Sequence, residues 1–310
     1  MKKYFLLTII YFLYAFRTLI SYDDTNNIKI NHKNSLLHKK DIKVCMCTVG
    51  KQENKYIREF VHYYEKYGID KIFLYDNNDE NGENFEEVIK DYIDKGFVQI
   101  NNWRGVKQPG IRTLRDCYLK NNQTYDWIIF YDIDEYIHLT NISNIKEFLS
   151  DKKFIQCNKI YLNWVMHTDN NLLKYENKSL HKRFPEFSHK FIERGKTILR
   201  GRIKNISIRE VHLLDHKISS CNGQGKIIKS KKDYLDFSNY YIDHFYFKSL
   251  EEFMQKIKKG DTYFGYKYHF LMTRLKRYFV FNNITLKKIE YIEKNLKVNL
   301  SKYKNNLKII

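Results

Sequence analysis

The chain has 310 residues, enough for one sizeable domain with appendages and a substantial core. Lysine and arginine outnumber aspartate and glutamate 55 to 36, a formal charge of +19. The basic residues are scattered rather than blocked, so the charge is weak evidence for a nucleic-acid or anionic-lipid partner. The five cysteines (45, 47, 117, 157 and 221) have no metal-ligand spacing. Their odd number argues against a complete disulfide framework and permits one or two bridges, with Cys45 and Cys47 read as small buried thiols in an apolar strand.

Met1-Lys2-Lys3 precedes the uncharged, mostly apolar stretch Tyr4 to Phe16, which Arg17 interrupts before Thr18-Leu19-Ile20. Carried to Ile20, the run reaches the lower limit for spanning a bilayer, and no convincing small-x-small cleavage site follows. Residues 1–20 are therefore expected to be an uncleaved signal anchor, with Lys2 and Lys3 keeping the N-terminus cytosolic; a cleaved signal peptide is the alternative. Residues 21–41 are polar and rich in Asn and Lys, without period, and read as a stem.

From Val44 the pattern alternates between strand and helix. Val44 to Val49 reads as a buried strand, and Glu53 to Tyr67 as a helix with Ile57, Phe60, Val61 and Tyr64 on one face and Gly68 at its end. Lys71 to Asp76 is a second strand, and Phe85, Val88, Ile89 and Tyr92 mark a second helix. Phe97 to Trp103 is a third strand, with Ile111, Leu114 and Tyr118 on the helix after it. The stretch Trp127-Ile128-Ile129-Phe130-Tyr131 is a fourth strand, apolar on both faces, running into Asp132-Ile133-Asp134-Glu135. Side chains two apart point the same way on a strand, so Asp132 and Asp134 are expected to leave it together while Ile133 returns to the core. Four strands with helices between them predict right-handed crossovers, a mostly parallel sheet and the α/β class. In such sheets ligands bind beyond the carboxyl ends of the strands, where Thr48, Asp76, Asp132 and Asp134 fall.

After Leu139 the pattern loosens. Ile145, Phe148 and Leu149 suggest a short helix, and Lys159 to Val165 a strand carrying Trp164. Lys190 to Ile192 and Ile206 to Val211 are candidate strands. Ser249-Leu250-Glu251-Glu252 is a capping box opening a helix that stops at Gly260. Thr285 to Leu300 reads as a basic amphipathic helix packed on the surface, with membrane-surface contact as the alternative. The domain boundaries expected are 1–20, 21–41, 42–265 and a C-terminal helical extension, 266–310.

Several of these pieces together resemble glycosyltransferase family 92, a group similar to the family 2 glycosyltransferases. They are Lys51-x-Glu53-x-x-Tyr56-Ile57-x-Glu59-Phe60, Gly68-Ile69-Asp70-Lys71-Ile72, Tyr75-Asp76-Asn77 and Asp126-Trp127-Ile128 leading into Asp132-Ile133-Asp134-Glu135. Farther on, Asn163-Trp164, Val211-His212, His244-Phe245, Lys248-Ser249-x-Glu251-Glu252-Phe253 and Lys259-Gly260-Asp261 also match. The resemblance covers about Val44 to Asp261. It implies a GT-A fold with a metal-bearing D-x-D, and inverting transfer of a hexose, often galactose, from a UDP-sugar to a glycan. One departure is Trp164-Val165-Met166-His167-Thr168-Asp169, where the family usually shows Phe-Gly and small residues.

The roles follow from that chemistry. Two hard oxygen ligands, Asp132 and Asp134, suit Mn²⁺ or Mg²⁺ carrying a nucleotide diphosphate. By resemblance Asp134 is the more direct ligand and Asp132 lies nearer the ribose or a metal-bound water. Asp76 resembles the carboxylate that meets uridine, and is equally read as a turn residue. Thr48 and Glu53 line the first βα loop on the donor side, with Glu53 also readable as an ordinary first-turn residue. His212 and His244 are candidate third metal ligands, each more often a structural residue in such a strand. Lys190, Arg112 and Arg115 are candidate diphosphate clamps. The general base must be a carboxylate near the acceptor hydroxyl, assigned to Asp169 with Glu193 and Glu210 behind it. The partners expected are a nucleotide sugar, a glycan and a membrane through the N-terminal segment; no nucleic-acid recognition motif is visible. The location expected is a type II membrane protein of the Golgi or endoplasmic-reticulum lumen, with a secreted or cytoplasmic protein as the alternative. The competing readings are a catalytically silent glycan-binding protein on the same fold and a nucleotidyltransferase, for which no Gly-rich phosphate loop is present. Six Asn-x-Ser/Thr sequons support a lumenal location only slightly in so Asn-rich a chain.

Overall fold

The computed structural model describes residues 42–203, 218–230, 233, 235–260 and 268–307. The expected anchor and stem, the candidate strand 206–211, and His212 and Glu210 lie outside the described residues.

The first half is built as the alternation predicts. Strand β1 (Val44–Gly50) is followed by α1 (Asn54–Lys66), β2 (Lys71–Asp76), α2 (Phe85–Asp94), β3 (Val98–Asn102), α3 (Gly110–Asn121) and β4 (Trp127–Phe130). Successive side chains of a strand face opposite sides, and the core divides accordingly. Val44 and Met46 pack with Ile72, Leu74, Trp127 and Ile129 in one apolar layer, under Ile57, Phe60 and Val61 of α1 and Phe85 and Ile89 of α2. Cys45 and Cys47 pack with Phe73, Tyr75, Ile128 and Phe130 in the other layer, under Leu114 and Tyr118 of α3. Each large aliphatic or aromatic side chain removed from water in this way contributes about 1.5–3 kcal/mol. Gly68 ends α1 with a φ of 85°, a left-handed conformation that a residue without Cβ adopts cheaply.

The sheet order is β3-β2-β1-β4-β7-β6-β9-β5, where β5 is Glu135–Leu139, β6 Lys159–Met166, β7 Gly195–Arg200 and β9 Tyr240–His244, with β8 (Ser220–Asn222) beside β6. The pairs β1·β2, β2·β3 and β1·β4 are parallel. The chain therefore moves outward from β1 to β3, then crosses back to place β4 on β1's other side. This reversal opens a crevice between the carboxyl ends of β1 and β4.

Beyond β4 the sheet is mixed rather than uniformly parallel. Strand β7 (Gly195–Arg200) runs antiparallel to both β4 and β6 (Lys159–Met166), β9 (Tyr240–His244) is parallel to β6, and β5 (Glu135–Leu139) is antiparallel to β9. The segment 190–192 is not a strand; β7 begins at Gly195. A Cβ at Gly195 would meet the Leu162 carbonyl oxygen at 1.9 Å, so the close approach of β7 to β6 requires glycine there.

Short helices α4 (Ile145–Leu149) and α5 (Leu180–Arg183) precede the C-terminal set α6 (Leu250–Lys259), α7 (Tyr268–Phe281), α8 (Leu286–Leu296) and α9 (Ser301–Leu307). Ser249 and Glu252 form the expected reciprocal capping box of α6. Leu271, Leu275, Tyr278, Ile289, Ile292 and Leu300 enter the main core, so these helices pack against the body of the fold. Two disulfides are present. Cys47–Cys117 ties β1 to α3, and Cys157–Cys221 ties the approach to β6 to β8. Only Cys45 of the expected thiol pair is free.

Candidate active site

Strand β4 ends at Phe130, so Asp132 and Asp134 sit on the turn joining β4 to β5 rather than on the strand itself. The turn closes through the Glu135 N–H to the Asp132 carbonyl at 3.0 Å, and Ile133 enters the core as expected. On a turn, alternation no longer governs side-chain direction, and the two carboxylates meet different cations. Asp132 Oδ2 receives Lys196 Nζ of β7 at 2.8 Å. Asp134 Oδ2 receives Lys256 Nζ of α6 at 2.6 Å and lies 3.5 Å from Lys248 Nζ.

The crevice between β1 and β4 is where the charges converge. Glu53, at the end of the first βα loop, receives Lys259 Nζ at 2.6 Å and lies 3.6 Å from Lys248 Nζ. Lys248 thus stands between Glu53 and Asp134, its Nζ also 4.1 Å from the centre of the Tyr56 ring. Its own backbone has a φ of 53°, an uncommon conformation for a residue with a side chain. Glu135 is fully buried; its Oε2 accepts the Asp132 N–H at 3.0 Å and lies 3.5 Å from Lys196. Four carboxylates and four ammonium groups thus meet in one connected network at this end of the sheet.

Burial would raise the carboxyl of Asp134, but Lys256, Lys248 and His244 outweigh it and hold the group well below the usual carboxylate range. Glu53 is lowered likewise, burial being overcome by Lys248 and Lys259. Glu135 goes the other way. Burial pushes its carboxyl well up, Lys196 opposes, and Asp132 and Asp134 add to the rise. Two kinds of acid therefore lie side by side, one held ionised and one pushed toward the neutral form.

His244, at the end of β9, lies with Nε2 3.6 Å from Asp134 Oδ1 and 3.9 Å from Glu135 Oε1, its ring 4.4 Å from the Trp164 ring. Burial lowers its pKa, which Asp134 partly opposes, favouring the neutral imidazole that a metal requires. Among the described residues no group of three acidic, histidine or cysteine side chains is gathered as a metal cluster. A Mg²⁺- or Mn²⁺-like ion needs less, because it commonly takes one or two protein carboxylates and completes its shell with water and substrate phosphate. Asp134 with His244 supplies such an edge. His244 Nδ1 and Glu135 Oε1 are buried without a hydrogen-bond partner in the structure.

The other expected site residues are placed as follows. Asp76 is buried; its Oδ1 accepts the Asn78 N–H and side-chain amide, and its Oδ2 accepts Arg104 Nε at 2.8 Å. Arg104 also donates to the carbonyls of Asp79, Glu80 and Glu83, so Asp76 organises the loop after β2. Thr48 is buried in β1, with no hydrogen-bond partner for Oγ1 in the structure. Arg112 and Arg115 are exposed on α3, Arg112 donating to the Lys107 carbonyl at 2.6 Å. Lys190 is exposed in the loop before β7.

Asp169 has other work than an open base. It is 1% exposed, its oxygens receiving Lys288 Nζ at 2.8 and 3.0 Å, the Asn171 N–H and the Tyr278 hydroxyl. It ties the segment after β6 to α7 and α8. Glu193 is exposed in the strand-free loop that leads through Gly195 to Lys196.

Lys196, Lys256 and Arg104 carry no sequence signal of their own, and Lys248, Lys259 and Glu135 stand in family-like motifs that give them no role at the site. With 55 basic residues in the chain, no single lysine announces itself. The one local signal was the Lys248-Ser249-x-Glu251-Glu252 capping box, which fixes where α6 begins and hence which lysines face the crevice.

A family model, Glycosyltransferase family 92, matches residues 40–300. The chain belongs to glycosyltransferase family 92. A family 92 protein of Ricinus communis is 30% identical over 105 residues, and one of Oryza sativa subsp. japonica 26% identical over 110 residues. Each match covers 34% of this chain and 18% of the relative, so the chain spans under a fifth of the length of the curated relatives it matches. Among solved structures, S. aureus TarS 1–349 in complex with UDP has a TM-score of 0.34 at 14% identity, covering 51% of this chain and 47% of that one. Mannosyltransferase PcManGT from Pyrobaculum calidifontis, in complex with GDP-Man and Mn²⁺, has a TM-score of 0.32 at 8% identity, covering 51% and 43%.

Proposed function

We propose that this family 92 chain is a glycosyltransferase that moves a hexose, galactose favoured, from a UDP-sugar to a glycan hydroxyl with inversion and with a divalent cation. The observation that carries the reading is the convergence of Glu53, from the loop after β1, and Asp134, from the turn after β4, on Lys248 at the point where strand order reverses. That crevice is where a nucleotide lies in sheets of this topology. Asp134 and His244 would hold the cation, which supplies charge neutralisation for the departing diphosphate. The lysines lining the crevice orient that diphosphate by charge-assisted hydrogen bonds. Glu193 is proposed to accept the proton of the acceptor hydroxyl, since its carboxylate is exposed while that of Asp169 is enclosed by Lys288 and Tyr278.

A lumenal or secreted location is part of the proposal. Two disulfides persist in an oxidising compartment, and Asn141, Asn177, Asn283 and Asn299 present exposed sequons. No described helix is long and apolar enough to cross a membrane, and residues 1–20 remain the proposed anchor.

The test is a thermal-shift panel of nucleotide sugars with Mn²⁺, followed by product analysis with glycan acceptors. Stabilisation by one donor, with glycosylated product, supports the reading. Glycan binding indifferent to every nucleotide and to metal would instead identify a silent binding protein.

A further inference from the structure

The crevice is occupied by its own counter-ions. Glu53, Asp132 and Asp134, with the buried Glu135 beside them, face Lys196, Lys248, Lys256 and Lys259, so acids and cations are closely matched. Such a set is poorly prepared for a ligand of either sign alone. A divalent cation approaching Asp134 meets the ammonium of Lys256 at 2.6 Å and that of Lys248 at 3.5 Å. A nucleotide diphosphate approaching those lysines meets the carboxylates they already serve. The two ligands together carry nearly opposite charge and repair both deficits at once.

We propose that Lys256 is an internal stand-in for the cation, occupying Asp134 until metal and diphosphate arrive together, and then turning its ammonium to the diphosphate. The inference rests on the donor reading above and adds to it a residue that couples the two ligands. Lys256 is suited to the exchange. It is a compact charge on a flexible stem, and among the described residues its ammonium is held by Asp134, the Tyr246 carbonyl at 3.5 Å and the Tyr246 ring at 4.1 Å. Its side chain is 23% exposed, against 5% for Lys248, so it has room to leave. Lys248, wedged between Glu53 and Asp134 on a strained backbone, is the fixed member of the pair. Lys256 is a positioning residue, acting through Asp134 on the cation and directly on the diphosphate.

The test is calorimetry on the full chain with Mn²⁺ alone, UDP alone, and each in the presence of the other. The account expects UDP to tighten Mn²⁺ at least tenfold and, by linkage, Mn²⁺ to tighten UDP by the same factor. In Lys256→Met, Mn²⁺ alone should bind at least fivefold more tightly than to wild type, UDP alone more weakly, and the coupling should shrink below threefold. A merely structural role for Lys256 would weaken both ligands instead. Lys256→Arg, which keeps a cation on Asp134, should retain the coupling, and it serves alongside the wild-type measurement if the Met variant does not fold. Lys304→Met, on α9, is the control and should change nothing. Mn²⁺ binding wild type equally well with and without UDP, or unchanged Mn²⁺ affinity in Lys256→Met, overturns the proposal. If UDP-sugar is still turned over in that case, the donor reading stands and only the coupling falls. If UDP binds under no condition, both fall.

Discussion

Lys256 Nζ lies 2.6 Å from Asp134 Oδ2 although 122 residues of chain separate the two. The contact joins the β4–β5 turn to α6, so the acidic turn has its electrostatic setting supplied by a helix formed much later in the sequence. Whatever holds α6 therefore tunes the turn.

Besides its apolar face, α6 is held by a buried ion pair. Arg183 of α5 donates to both oxygens of Glu252 at 2.7 and 3.0 Å, with the two side chains 1% and 2% exposed, and the Tyr56 hydroxyl donates to the same carboxylate. Arg183→Met strands a buried carboxylate and should lower the unfolding free energy by about 3–5 kcal/mol. Urea denaturation measures it. An unchanged midpoint would show that α6 is anchored by its apolar face alone.

Stability should fall in acid. In Glu252 burial is outweighed by hydrogen bonds from Arg183, Ser249 and Tyr56, and in Asp243 by those from His138 and His167, so both carboxyls titrate below their usual range. A depressed carboxylate contributes stability that is fully present above its unfolded pKa of about 4 and is lost as pH falls through the folded value. Unfolding free energy should thus be flat near neutrality and drop steadily below about pH 4.5, with a shallower drop in Glu252→Gln. A rise in that window would contradict the assignment.

The Cys47–Cys117 bridge closes a loop with a sequence separation of 70, for which chain entropy gives about 4 kcal/mol. Cys117→Ala should lower the denaturation midpoint accordingly under non-reducing conditions. It should leave UDP affinity nearly unchanged, since the bridge lies in the layer under α3. Equal stability of the two proteins would mean that the reduced chain keeps the same constraint by packing.

Glu193→Gln should reduce transfer to a glycan by about 100-fold or more while leaving UDP binding intact, because a general base acts on the acceptor and not on the nucleotide. Steady-state transfer assays with parallel UDP titration separate the two effects. Undiminished transfer would return the base to another carboxylate.

The fold's first half was legible because its signals are local. Ile57, Phe60, Val61 and Tyr64 fall on one helical face, and the Trp127 run is apolar on both sides; both features survive in the structure with boundaries moved by a residue or so. The second half was not, because β7 and β9 are specified by the partners they cross to. Lys190–Ile192 has the composition of a strand, yet Gly195 is the residue that fits against β6. The turn at Asp132 was misread as continuing strand, since nothing in Asp132-Ile133-Asp134 says where the ladder to β1 stops. Cys47 looked like one of two buried thiols; only the tertiary structure brings Cys117 to it. Asp169 reads as a candidate base because its cation, Lys288, lies 119 residues away and leaves no local sign of the pairing.

The most direct measurement is hexose transfer from UDP-sugar in Mn²⁺, comparing wild type with Asp134→Asn. A charge-bearing group that stabilises the departing diphosphate is worth about 100- to 1,000-fold in rate. The account predicts at least that loss in a variant that still melts cooperatively; turnover equal to wild type would contradict it.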